Sequence, residues 1–167
     1  MSRKFEFTEK FDVPPSVAHA AMTDPDLWSK RVDDSGGRAD IDFKRTPDGG
    51  FTVTVVENVG AQVLPGVVRK VVRGGMKITR TDLWGPLEGD HAEGTLTGST
   101  TGLPAKITGT LSLQPDGNGA KLIIVGESTV KIPLVGGKIE DLINKMIKDM
   151  IDQETGETLE WVAAQKS

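Results

Sequence analysis

The chain has 167 residues, 37% of them hydrophobic and 26% charged, no cysteine, and a net charge of −4. This size suits one domain, 1–167, able to bury about 70% of its extended-chain surface, and the mixture excludes a disordered chain or a coiled coil. Without cysteine there is no disulfide framework, thiolate nucleophile or zinc ribbon. Charges interrupt the apolar residues of Met1–Lys10, and no run approaches 18 apolar residues, so neither a signal peptide nor a membrane-spanning helix is expected. The composition is compatible with a reducing cytoplasm, the localisation expected here. Arg69, Lys70, Arg73, Lys77 and Arg80 make a local basic segment. With only Trp84 as a nearby aromatic, it reads as a solvated face, and no nucleic-acid partner is expected.

Phe5, Phe7 and Phe11 predict a first strand near 2–10 with one apolar face. Pro14-Pro15 opens a short helix to Met22, and Thr23-Asp24-Pro25 caps it and starts a second through Leu27 and Trp28. The polar Arg31–Arg38 segment reads as a loop. Ala39–Arg45 and Phe51–Val56 alternate as strands around Thr-Pro-Asp-Gly-Gly, the strongest hairpin signal in the chain. Pro65, the valines at 67, 68, 71 and 72, and Gly74-Gly75 favour a short helix over 65–73, although the β-branching of valine favours strand.

Three strands are then predicted at Met76–Trp84, Asp90–Ser99 and Ala105–Leu113, followed by a turn at 114–119 and a seventh strand over Ala120–Lys131. Past Gly136-Gly137, Ile139, Leu142, Ile143, Met146, Ile147, Met150 and Ile151 recur on one helical face. A helix over 138–162 would be roughly 37 Å long, enough to cross the sheet. Its inward stripe becomes polar at Glu154, Thr155 and Thr158 before Trp161 and Val162, and Gly156 weakens it by about 1 kcal/mol. The layout is α+β, with one antiparallel sheet folded against one helix.

This order of elements resembles the helix-grip fold of the START-like (SRPBCC) superfamily, with its Bet v 1 relatives, polyketide cyclases and aromatase-like domains. More narrowly, Val130–Glu140, Leu64-Pro-Gly-Val-Val-Arg-Lys70 and Trp84 before a turn resemble an actinobacterial family of unknown function, DUF2505. The Pro-Leu-Val-Gly-Gly-Lys-Ile-Glu segment is also similar to the last-helix junction of subunit-G proteins linked to carbon monoxide dehydrogenase. The resemblance implies a hydrophobic cavity between a curved sheet and the final helix, where many relatives bind lipids, sterols or polyketides. It implies no universal catalytic residue.

With His19 and His91 alone, an all-histidine zinc triad is impossible; His91 with Asp90 and Glu93 is a weak mixed-ligand set, because strand neighbours point to opposite faces. No metal or cofactor is expected. Asp82 is expected at the surface, although it and Glu93 would meet if their strands paired in register. Leu134-Val-Gly-Gly-Lys138 reads as a tight turn allowing close strand–helix approach and lacks the phosphate-loop pattern. Ser112 and Ser128 have no histidine at a hydrolase spacing.

The expected function is binding or carriage of a hydrophobic small molecule or lipid. Met146, Met150, Glu154 and Trp161 are expected to touch the cavity, with Trp84 and the 64–72 segment, including Val68, beside its opening. The alternatives are a cyclase-, dehydratase- or hydrolase-type enzyme using Glu154, His91 or Asp82, and an interaction module presenting Val67–Val72 to an unidentified protein.

Overall fold

The computed structural model describes residues 2–72 and 74–165; Arg73, in the basic segment and the 65–73 helix read from the sequence, lies outside the described residues. Seven antiparallel strands form one sheet in the order β1-β7-β6-β5-β4-β3-β2. Their ranges are β1 Ser2–Phe11, β2 Ala39–Arg45, β3 Phe51–Val59, β4 Met76–Trp84, β5 Ala92–Thr100, β6 Ala105–Asp116 and β7 Gly119–Val130. Consecutive strands from β2 to β7 are neighbours, and β1 closes the order by pairing with β7, Ser2 opposite Thr129 and Phe11 opposite Ala120.

Between β1 and β2 lie α1, Pro15–Met22, and α2, Pro25–Asp34. Each has proline in its first turn, where the missing N–H is not needed, and Asp24 caps α2 by accepting the Asp26 N–H at 2.9 Å. The second helix continues through a segment read as loop from Arg31 onward. That segment lacks an apolar stripe; Lys30 and Asp34 pair at 2.6 Å one turn apart, and Arg31 is held by another helix. The valine segment is a 3-10 turn, Ala61–Val63, then one helical turn, α3, Gly66–Arg69. Val68 and Val72 are buried and Val67 and Val71 half-buried against the core, so this segment does not present the apolar patch required by the interaction-module reading.

The last helix, α4, runs over Gly136–Gln165 and packs on β1, β7 and α1. Gly136 and Gly137 therefore open the helix. A Cβ at Gly136 would lie 2.6 Å from the Val130 carbonyl oxygen, so only glycine allows this approach of helix to strand. Next to it Leu134, wholly exposed, takes a left-handed φ of 72° that side chains other than glycine rarely adopt. Fully buried Glu140 accepts the Val130 N–H at 2.9 Å, and the Ser128 hydroxyl donates to Asn144 Oδ1 at 2.7 Å, fastening β7 to the first turns of α4. Among the described residues no helix is long and apolar enough to cross a membrane.

The buried line of α4 is Ile139, Ile143, Ile147 and Ile151, one residue every four, and continues through Thr158 and Val162. Leu142, Met146 and Met150 flank it and are half-buried. Removing the Ile147 side chain to Cβ should cost about 2–5 kcal/mol, and Leu142→Ala less, because its surroundings already admit water. Urea denaturation of the two variants checks the order; a Leu142→Ala loss as large as that of Ile147→Ala would contradict this packing.

Glu9 lies on the inner face of β1 and is buried beside Lys148 and Asp152 of α4. Burial raises its carboxyl from 4.5 to about 7; a hydrogen bond to Asp152 and that residue's charge add to the shift, and Lys148 opposes it. Asp152 moves below its ordinary value, through its hydrogen bonds with Glu9 and Lys148. Because the folded value for Glu9 is raised, its stabilisation is complete below about pH 4.5 and is lost as pH rises through about 7; that of Asp152 is lost on acidification. Glu9→Gln should therefore raise Tm relative to the unaltered protein more at about pH 8 than at about pH 5. Parallel Tm profiles would rule out Glu9 as the group responsible.

Candidate functional site

On β4 the alternation of side chains turns Met76, Arg80, Asp82 and Trp84 inward, all buried, while Lys77 and Leu83 face out. A small cavity of about 40 Å³ lies between this part of the sheet, α2 and the distal half of α4. Its apolar wall comes from Phe11, Leu96, Leu111, Leu122, Ile124 and Ile151, with Trp28 and Trp84. The polar end is formed by Arg31, Asp82, Glu154, Thr155 and Thr158. Neighbouring side chains occupy much of the space left by glycines on the inner face: a Cβ at Gly94 would meet the Trp84 ring at 3.3 Å, and one at Gly98 would meet Ile107 at 3.0 Å. The remaining space suffices for a few waters at roughly 10–15 Å³ each.

Arg80 is the centre of the polar end. Its Nε and Nη2 donate to the two Asp82 carboxylate oxygens at 3.1 and 3.2 Å, a fork two residues along one strand. Nη2 also donates to Glu154 Oε1 at 3.0 Å, and Nη1 lies 2.9 Å from Glu154 Oε2. The guanidinium thus joins β4 to α4. Burial opposes its charge, but the two carboxylates outweigh that effect and raise its affinity for the proton. Burial pushes the Asp82 carboxyl up; Arg80 and, more weakly, Arg31 oppose the shift, while the Glu154 charge adds to it.

A second arginine completes the cluster. Arg31 donates from Nε to Glu157 at 2.9 Å and from Nη2 to the Glu154 carbonyl at 3.0 Å and the Thr158 hydroxyl at 3.1 Å. Its guanidinium lies 4.4 Å from the centre of the Trp28 ring, whose Nε1–H donates to the Met22 carbonyl at 2.8 Å. An outer groove of about 160 Å³ runs between α2, β2–β3 and α4, and shares Trp28, Arg31 and Glu154 with the inner cavity. Glu154 thus stands between the two spaces.

Of the residues singled out in the sequence, Glu154 and Trp84 line the inner cavity, and Met150 lines the outer groove beside Glu154. Met146 is half-buried and lines neither space; Val68 is packed in the core. Trp161 is half-buried on another side of α4, near Leu27 of α2 and Val17 of α1. Asp82, expected at the surface, is buried, and the strand register sets it opposite Leu96 and not Glu93, which is exposed and opposite Ser112. Arg80, expected on a solvated basic face, is 4% exposed, a correction imposed by the inward parity of β4.

His19 is buried, with Nε2 3.1 Å from the Gly85 carbonyl oxygen and its ring edge-on to Trp84. His91 is exposed and its Nδ1 lies 2.7 Å from Asp90, because both precede β5 in a turn where strand alternation does not apply. Among the described residues no group of three histidine or acidic side chains is placed to hold a metal ion. Arg31 and Arg80 are the members of this cluster that sequence reasoning missed, and Asp82, named there as an acid–base candidate, was misplaced at the surface; the available signal was that Arg80 and Asp82 share the parity of Met76 and Trp84.

The family described as "Protein of unknown function (DUF2505)" matches residues 6–162. The uncharacterized protein Rv0481c of Mycobacterium tuberculosis is 27% identical over 170 residues, covering 97% of this chain and 98% of that one. Among solved structures, TTHA0849 from Thermus thermophilus aligns with a TM-score of 0.63 at 14% identity, covering 99% of this chain and 100% of that one. Norcoclaurine synthase from Thalictrum flavum, in complex with dopamine and hydroxybenzaldehyde, aligns at 0.58 and 14% identity over 100% of this chain and 90% of its own. At these identities the structural likeness shows the shared fold.

Arg80→Met would leave two neighbouring carboxylates without their shared counter-charge, at an expected cost of about 3–5 kcal/mol near neutral pH. Adding Asp82→Leu should restore part of it. Because an uncompensated carboxyl takes up a proton more readily, the loss should shrink as pH falls toward the ordinary carboxylate range. Urea denaturation at neutral and at acidic pH measures it, and an equal loss at both would exclude the ionic role.

Proposed function

The chain belongs to the DUF2505 family and has the START-like helix-grip fold, and on that footing we propose that it binds a small hydrophobic molecule or lipid through the space between the sheet and the distal half of α4. The observation that carries this reading is the polarity of that space: an apolar wall ending in buried charge, with Glu154 shared between the interior and the groove outside. Such a site desolvates an apolar body while orienting one polar end. The interior of about 40 Å³ is far smaller than the roughly 300–1,000 Å³ of ordinary ligand sites, so uptake requires α2 or the end of α4 to move outward.

An enzymatic reading is favoured by one feature, the buried Asp82 and the partly exposed Glu154 on a common guanidinium. A carboxyl pushed up by burial beside an ionised partner is suited to giving and accepting a proton. In that reading Asp82 is the acid–base group and Glu154 its charged neighbour.

Nile red, a neutral apolar dye, should bind the purified protein saturably with enhanced fluorescence. Leu111→Phe, which fills the inner cavity, should weaken that binding by about tenfold or more while leaving the circular dichroism spectrum unchanged. Absence of saturable binding to the folded, unaltered protein would defeat the proposal.

A further inference from the structure

We propose that the polar end of this site is built for a protonated amine, so that the ligand is an organic ammonium ion carrying an apolar body. The inference rests on the binding reading above and concerns the charge of the head group. At the inner end, two carboxylates, those of Asp82 and Glu154, line the cavity against one guanidinium, that of Arg31, whose own partner Glu157 faces the outer groove, so the wall is one positive charge short. The outer groove does not supply the missing charge, since it adds Asp34 and Glu57 against Arg38, with Asp34 already paired to Lys30 at 2.6 Å.

The way the groups face decides which charge is missing at the wall. Asp82 and Glu154 line the cavity, whereas Arg80 stands behind them and does not. The Arg80 Nη1, without a well-aligned hydrogen bond, is buried at 2.9 Å from Glu154 Oε2 and so is covered by a carboxylate. Each carboxylate oxygen retains a lone pair beyond the one used by Arg80, and an ammonium brings only donors. Trp28, which already has the Arg31 guanidinium over its ring, and Trp84 supply aromatic walls that favour a cation.

The test compares three molecules of one chain length, octylamine, octan-1-ol and octanoate, all below their aggregation concentrations, titrated against the full chain at neutral pH with intrinsic tryptophan fluorescence as readout. Octylamine should bind about tenfold tighter than octanol, and octanoate weakest, as expected when a charge-assisted hydrogen bond replaces a neutral one. Asp82→Asn should reduce the preference for amine over alcohol to near parity while octanol still binds. If Asp82→Asn does not fold, Glu154→Gln, at the partly exposed member of the cluster, serves the same purpose. Equal binding of alcohol and amine, tighter binding of octanoate, or an amine preference kept in the folded variant would overturn the inference while leaving the binding reading intact. Failure of all three molecules and of Nile red to bind would instead remove the binding reading, and this inference with it.

Discussion

The arrangement around the cavity depends on a buried guanidinium. The backbone of α4 packs on β1 and β7 and on α1, toward one end of the strand order, and Arg80 is the side chain through which the distal helix grips the middle of the sheet. Burying such a charge is tolerable only with close counter-charges, and the fork onto Asp82 with the second contact to Glu154 supplies them. The charged end of the cavity is therefore part of what holds α4 over the sheet. Arg31 repeats the pattern from α2, tying it to Glu157 and Thr158.

Much of this architecture was legible in the sequence. Period-two alternation located β1, β2 and β3, turn signals and β-rich composition located the other four strands, and Gly136-Gly137 marked the beginning of the long helix. The residues that escaped were those held by tertiary ion pairs. The C-terminal half of α2 read as loop because nothing apolar recurs there, yet its Arg31 is anchored by α4. Arg80 read as surface because it was grouped with Arg69, Lys70 and Lys77 in a basic segment, although parity placed it with Trp84. On α4 the three-and-four spacing admitted a broad stripe; only the isoleucine line is fully covered, so Met146 and Met150 lie at its margin. Trp161 came off the cavity because, past Glu154, the helix meets α1 and α2 on a different side.

The space between the sheet and the distal helix is narrow, and large side chains lie over the glycines of the sheet's inner face. Trp84 covers Gly94, Ile107 covers Gly98, and Phe5 approaches Gly126. Those side chains are movable, unlike backbone, so the interior has a way to widen that leaves the strand register intact. A wider interior would be a second packing of the same residues, reached at the cost of moving α2 or the end of α4 away from the ion cluster.

The pairing of β1 with β7 also governs the order in which the chain assembles. Ser2 and Thr129 are hydrogen-bonded neighbours although 127 residues separate them, so on the ribosome the first strand emerges long before its only partner exists. Until β7 is synthesised, Phe5, Phe7 and Phe11 have no sheet to cover them, and α4 has no complete surface on which to settle. Strands β2 to β6 can pair successively with their nearest predecessors, while closure of the sheet and docking of the last helix wait until β7 and α4 have been made. The growing chain therefore carries an uncovered aromatic strand until β7 has been made, the segment for which a holding chaperone would compete.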